Sequence, residues 1–195
     1  YVSCHDDLSL VDKLRASAPE GMTEEELVRF DKLAQTVVLT AQGIPSLFAG
    51  EEMLRTKGGV SNSHDSPDRV NRIDWSFKAD HKDVFDYYRG LIALRRTHPA
   101  FRLATAAEIE RHLRFLDTGD THVVAYRLVD HAGGDPWREI LVVYNGARAE
   151  KRVRIPPGDW HAVCLDGRIA SEALAVFSGD SVPVPASSAL IAYLP

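Results

Sequence analysis

From Leu27 the apolar residues recur at spacings of three and four, through Phe30, Ala34, Val37 or Val38 and Ala41, which predicts an amphipathic helix. Thr23 with Glu26 three residues on supplies a capping box to start it, and Gly43 marks its end. A second helix is predicted from about Asp83, with Phe85, Tyr88, Leu91, Ile92 and Leu94 on one broad face. It stops before Pro99, because a proline ring disfavours helix at the preceding residue. Between them, GIPSLFAGEE holds a short apolar run without polar alternation, and YVSC at the start reads the same way. Both suit strands buried on two faces, as in a parallel sheet, and strand–helix–strand is a βαβ pattern. Residues 55–82 are polar and rich in Ser, Asn, Asp and Gly. That stretch exceeds an ordinary connection of ~4–6 residues, so it is either functional or disordered.

After Phe101 the period changes. HLRFL, HVVAYRLV, EILVVYN, EKRVRIP, WHAVCL, LAVF and SALIAYL are short β-branched or alternating runs. Clusters such as Asp117-Gly119-Asp120, Gly133-Gly134-Asp135, Pro156-Pro157-Gly158-Asp159 and Gly179-Asp180 separate them as turns. The expectation is an antiparallel sandwich over residues 101–195 behind an α/β unit over residues 1–100, with no internal repeat. The chain opens without Met inside a presumed strand, which raises the expectation of a piece of a longer protein.

Composition narrows the functional classes. The 195 residues are 45% hydrophobic and 26% charged, enough for one or two packed domains and unlike disordered or fibrous chains. With 23 Lys+Arg against 28 Asp+Glu the charge is -5, and no basic run exists to neutralise a phosphate backbone, so nucleic acid is not an expected partner. No window approaches the ~18 apolar residues of a membrane span, and no membrane partner is expected. Cys4 and Cys164 stand in a chain too large to depend on a disulfide scaffold, so neither pairing nor redox compartment follows from them, and both are expected to be buried thiols.

His5, Asp6 and Asp7 fall where a parallel strand meets its following loop, the end of the strand at which α/β folds place their chemistry. They can orient a substrate hydroxyl and stabilise positive charge, or simply form a polar strand end. A Cys4–His5 thiol–base pair is not expected, because neighbours on a strand point to opposite faces. Glu51 and Glu52 close the second run. They invite a glycosidase carboxylate pair, against the stronger reading that they cap a turn or hold a loop. In the long loop Asn62, Asp65, Asp68, Asn71 and Arg72 offer donors and acceptors suited to hydroxyl-rich ligands, as solvated loop residues also do. Trp75 either stacks on a sugar or anchors the loop in the core. His5, His64, His81 and His98 lack ligand spacing, so neither a transition metal nor another cofactor is expected.

These segments resemble a family. YVSCHDD resembles the YVxxHDN segment ending the seventh barrel strand in the α-amylase superfamily, and QGIPSLFAGEE its eighth-strand segment QGIPxLxxGEE. NSHDSPDRVNRIDW and LIALRRTHPAFR are similar to segments of type I pullulanases, the starch and glycogen debranching enzymes, as are EILVVYN and VPASSALIAYL in the C-terminal sandwich. The stretches cover the whole chain in order.

The resemblance implies the last two strands and helices of a (β/α)8 barrel followed by the sandwich. It implies a parent hydrolase that cleaves α-1,6-glucosidic branch points in pullulan, amylopectin or glycogen-derived glucans with retention, through a glycosyl-enzyme. Of the family's three acting carboxylates only the one after the seventh strand has a counterpart, Asp6, with His5 beside it for sugar hydroxyls. Asp68, with Asn71 or Arg72, matches the loop that binds the sugar on the non-reducing side. The nucleophile and the acid/base have no counterpart, so the chain by itself is expected to be inactive and to self-associate through exposed barrel edges. Asp7 stands where the family usually has Asn. The competing readings are an isoamylase-like or other α-glucan enzyme, separable by the loop from Asn62 to Trp75, and a non-catalytic carbohydrate-binding module with Trp137 and Trp160 as platforms.

Overall fold

The computed structural model describes residues 1–195. Its first half is helical: α1 (Leu10–Ser17), α2 (Glu24–Thr40), the single turns α3 (Asp68–Asn71) and α4 (Phe77–Asp80), α5 (Lys82–Thr97) and α6 (Ala106–His112). The second half is a sheet of seven strands: β1 (Leu113–Leu116), β2 (Val123–Leu128), β3 (Glu139–Asn145), β4 (Lys151–Leu165), β5 (Arg168–Ile169), β6 (Ala175–Val184) and β7 (Ser188–Leu194).

The two helices read from periodicity form as expected. In α2 the Thr23 hydroxyl accepts from the Glu26 amide at 3.2 Å while Glu26 accepts from the Thr23 amide at 3.0 Å, satisfying two donors that an open helix start leaves orphaned. Its last carbonyls are satisfied from α5: the Arg95 guanidinium donates to Leu39 O, Ala41 O and Gly43 O at 3.0, 2.7 and 2.6 Å. Gly90 lets α5 approach β5, because a Cβ there would collide with the Ile169 side chain.

The antiparallel sheet runs β1-β2-β3-β7-β4-β5, with β6 on β4. Alternation explains why β3 and β7 read as unbroken apolar runs. Ile140, Val142 and Ile191 face one core, which they share with Val11, Leu27, Leu91 and Phe101 of the helical half. Leu141, Val143, Leu190 and Ala192 face a second core, closed on the far side by Trp160, Val153, Val182 and Val184. Both faces are buried, so no polar alternation survives. The sandwich is therefore made by one sheet folding over on itself.

The fold-over occurs in β4, which corrects the expected turn at Pro156-Pro157-Gly158-Asp159. EKRVRIP and WHAVCL form one strand with a register shift between Arg154 and Gly158. Two consecutive prolines remove two ladder donors and bend the strand without ending it. Gly179 lies opposite Gly158, so the expected turn at Gly179-Asp180 is likewise part of a strand, β6.

The strands expected at YVSC and GIPSLF do not form. Both segments lack strand assignment, no backbone ladder joins them, and Ile44 is 98% exposed. A parallel strand needs a neighbouring strand to pair with, and side chains rather than strand backbones lie against these segments. Four helices went unforeseen: α1, the single turns α3 and α4, and α6. α6 carries a second capping box, Thr105 with Glu108, which the sequence did display.

Candidate functional site

Residues 1–9 run extended into a bend at His5–Asp7 and then enter α1. Asp7 sits at φ 64°, in the left-handed region. Asn and Asp are the side-chain-bearing residues that visit this region readily, so Asp7 suits the step. The bend presents His5 and Asp6 to solvent, 83% and 75% exposed, with His5 Nε2 3.5 Å from Asp6 Oδ1.

Three side chains fix the bend from beneath. Lys57, itself buried, donates from Nζ to the His5 carbonyl at 2.9 Å. Burial pushes the Lys57 amine below its ordinary value, and Arg55 pushes the same way. Asp12 in the first turn of α1 accepts from the Lys57 amide at 2.7 Å and from the Ser9 hydroxyl at 2.8 Å. Burial works to raise the Asp12 carboxyl, but its bonds from Thr56, Lys57 and Ser9 outweigh that and lower it. Glu51, buried, accepts from Ser3 Oγ, from Gln35 Nε2 at 2.8 Å and from the Phe48 amide at 3.3 Å. Burial raises its carboxyl above the usual range despite these bonds. Glu51 thus ties residues 1–4, α2 and the 44–52 segment together, which is the loop-holding role rather than the catalytic one. Glu52 accepts from the Gly50 amide at 3.0 Å.

The 55–75 loop is ordered from within. Asn71 Nδ2 donates to Ser63 O and Ser66 O at 2.6 and 3.1 Å, and its Oδ1 accepts from Ser63 Oγ at 2.7 Å. Its amide is spent on the loop. Asp68 is exposed at the start of α3, and Arg72 is exposed with Asp74 Oδ2 3.9 Å away. A cavity of about 340 Å3 separates residues 55–58 from 69–77, lined by Arg55, Lys57, Arg69, Arg72, Asp74 and Phe77. Asn62 and Asp65 are exposed at the loop's turn. Trp75 does not anchor the loop in the core; it is 66% exposed.

Two sequence expectations are corrected here. Cys4 is half-buried rather than buried, and its Sγ contacts Asp6 O at 3.6 Å. Because residues 1–4 do not form a regular strand, Cys4 is not turned away from His5. Its sulfur, the imidazole and the Asp6 carboxylate lie within 4.8 Å of one another. Cys164 is fully buried as expected, its thiol pushed up to about 12 by that burial. Ser3, Gln35 and Lys57 carry no local signal, since each acts through contacts distant along the chain.

The aromatic platforms proposed for a carbohydrate-binding module are occupied. Trp137 is sandwiched between His98 at 3.5 Å and Tyr193 at 4.0 Å, beside a cavity of about 410 Å3 under α5. Trp160 is fully buried and donates to Pro156 O at 2.9 Å.

The fold is thus a helical layer braced by an antiparallel sandwich, with an exposed histidine–aspartate turn leading into the first helix. Comparison with known proteins narrows this. The profile of the pullulanase all-beta domain matches residues 109–168. A pullulanase of Bacillus subtilis (strain 168) is 40% identical over 156 residues, covering 80% of this chain and 21% of that protein. The pullulanase from Bacillus acidopullulyticus superposes with TM-score 0.95 at 45% identity, covering 99% of this chain and 24% of its own. The pullulanase type I from Bacillus subtilis str. 168, complexed with maltose, superposes with TM-score 0.92 at 34% identity over 100% of this chain and 27% of its own. The chain belongs to the pullulanase family, and it spans between a fifth and just over a quarter of the length of these proteins.

Proposed function

We propose that this chain works as the C-terminal portion of a debranching glycoside hydrolase that cleaves α-1,6-glucosidic linkages in α-glucans. Residues 1–100 are then the last part of a (β/α)8 barrel and residues 101–195 its supporting sandwich. In that setting the extended segments at Tyr1–Cys4 and Ile44–Phe48 acquire neighbours and become barrel strands.

The observation that carries the reading is the His5–Asp6 pair, exposed on a bend that Lys57 bonds at the His5 carbonyl and that Asp12 and Glu51 support through Lys57 and Ser3. Glycoside hydrolysis passes through an oxocarbenium-like state in which bonds to sugar hydroxyls strengthen. A carboxylate at Asp6, accepting from those hydroxyls, favours that state over the bound ground state and so raises kcat. His5 binds hydroxyls of the same ring. Asp68 and Arg72 reach the neighbouring sugar from the far loop, while Asn71 shapes that loop. Retention and the covalent intermediate depend on a nucleophile and an acid/base supplied from outside these residues. The binding of maltose by the Bacillus subtilis relative supports an α-glucan as the ligand.

The test is a graft. The isolated chain is expected to release no reducing sugar from pullulan. The Bacillus acidopullulyticus pullulanase carrying this chain in place of its own corresponding segment is expected to hydrolyse pullulan. A correctly folded but inactive chimaera would contradict the reading. The exposed edge at Tyr1 and Ile44, 77% and 98% exposed, is expected to make the isolated chain self-associate in sedimentation; a stable monomer would count against barrel edges there.

A further inference from the structure

Three unlike donors meet at the bend. Cys4 Sγ, an imidazole nitrogen of His5 and a carboxylate oxygen of Asp6 lie within 4.8 Å of one another. The His5 Nε2–Asp6 Oδ1 separation is 3.5 Å. Two ligands bound at ~2.0–2.2 Å in a tetrahedron stand a little over 3 Å apart, so this pair already has the spacing of one tetrahedral edge.

The bend is also preorganised. Its carbonyl at His5 is held by Lys57 Nζ, Cys4 Sγ leans on Asp6 O, and Asp7 fixes the left-handed step that follows. Lys57 spends its hydrogen bond on that carbonyl. We propose that Cys4, His5 and Asp6 form a site for a thiophilic divalent cation of the zinc class, with water in the fourth position. A thiolate, an imidazole and one carboxylate are soft to borderline donors. They match zinc or cadmium and not calcium or magnesium, which take all-oxygen shells. On binding, the Cys4 thiol gives its proton to solvent as the sulfur–metal bond forms, and the neutral His5 ring donates a lone pair.

The site belongs to the conformation in which residues 1–4 form no strand and Cys4 lies beside His5, and it is testable on the chain alone.

The experiment is a titration of the reduced 195-residue chain with Cd2+, read by the thiolate-to-cadmium charge-transfer band. The expected result is saturation at one ion per chain, displacement by Zn2+ and none by Mg2+. Cys4→Ser abolishes the band. His5→Ala and Asp6→Asn each weaken binding by more than about tenfold, since losing a direct ligand costs at least as much as losing an outer-shell partner. Both side chains are exposed, so far-ultraviolet circular dichroism should confirm that these variants fold. No band, or either of those two variants binding as tightly as the parent chain, overturns the three-residue site and leaves a solitary thiol.

Discussion

The β3–β7 pair and the residues around the His5–Asp6 bend are built in opposite ways. In the first, every residue from Glu139 to Asn145 is paired to one from Leu194 to Ser188, and both faces are covered. In the second, residues 1–9 and 44–52 have no ladder and are held by single bonds: Ser3 to Glu51, Lys57 to the His5 carbonyl, Asp12 to the Lys57 amide. Regular backbone pairing makes the sheet a scaffold that needs little from any one polar side chain. The bend depends on a few buried polar residues, and it carries the candidate chemistry.

The largest effect should come from the scaffold's interior. Trp160 fills the second core completely, and Trp160→Ala should cost ~3–5 kcal/mol, as emptying such a site usually does. Denaturant unfolding would show it; a loss below about 1 kcal/mol would mean the fold-over contributes little.

Asn145 comes next. At the end of β3 its amide donates to Ala149 O, Val184 O and Pro185 O at 2.9, 3.0 and 3.0 Å and accepts from the Ala147 amide at 2.9 Å. Asn145→Ala leaves buried carbonyls unpaired, for about 1–3 kcal/mol. Thermal unfolding is the readout, and an unchanged midpoint would show that water replaces the side chain.

The third prediction concerns Asp31 of α2, buried beside the bend's supports. Tyr88 donates to Asp31 Oδ1 at 2.7 Å while Oδ2 has no partner. Burial pushes this carboxyl to about 7 from an ordinary 3.8, with Glu51 adding to the rise and the Tyr88 bond opposing it. The fold therefore holds a proton that the unfolded chain releases, so the Asp31 contribution to stability is full at low pH and declines as pH rises from about 4 to about 7. Asp31→Asn should flatten that decline and raise the midpoint at pH 8 but not at pH 4. Part of the slope should persist through Glu51, raised in the same direction. An unaltered slope in Asp31→Asn would place the titration elsewhere.

The smallest global effect belongs to the bend. Ser3→Ala removes one bond to Glu51 and should cost about 1 kcal/mol or less, yet hydrogen exchange over residues 1–9 should rise while β3 and β7 stay protected. Equal loosening of both regions would erase the contrast.

The same contrast explains what the sequence revealed. Periodicity and a capping box are local, so α2 and α5 were legible, as were β3 and β7, whose whole runs are apolar. The strands at YVSC and GIPSLF were not, since being a strand depends on neighbours no local pattern contains. The Pro-Pro-Gly cluster in β4 misled because a bulge and a turn use the same residues. At the candidate site, motif order pointed to His5 and Asp6, which the fold presents together. It also pointed to Asn71, whose amide the loop consumes. Cys4 was set aside on the alternation of a strand that does not form.

The central claim is that the Asp6 carboxylate acts on a glucan during bond cleavage. Its most direct test is pullulan hydrolysis by the Bacillus acidopullulyticus chimaera with and without Asp6→Asn, measured as kcat and KM separately. A kcat lower by several orders of magnitude with KM little changed is the predicted outcome, because the lost interaction is made chiefly in the transition state. A folded Asp6→Asn chimaera with undiminished kcat would contradict the claim.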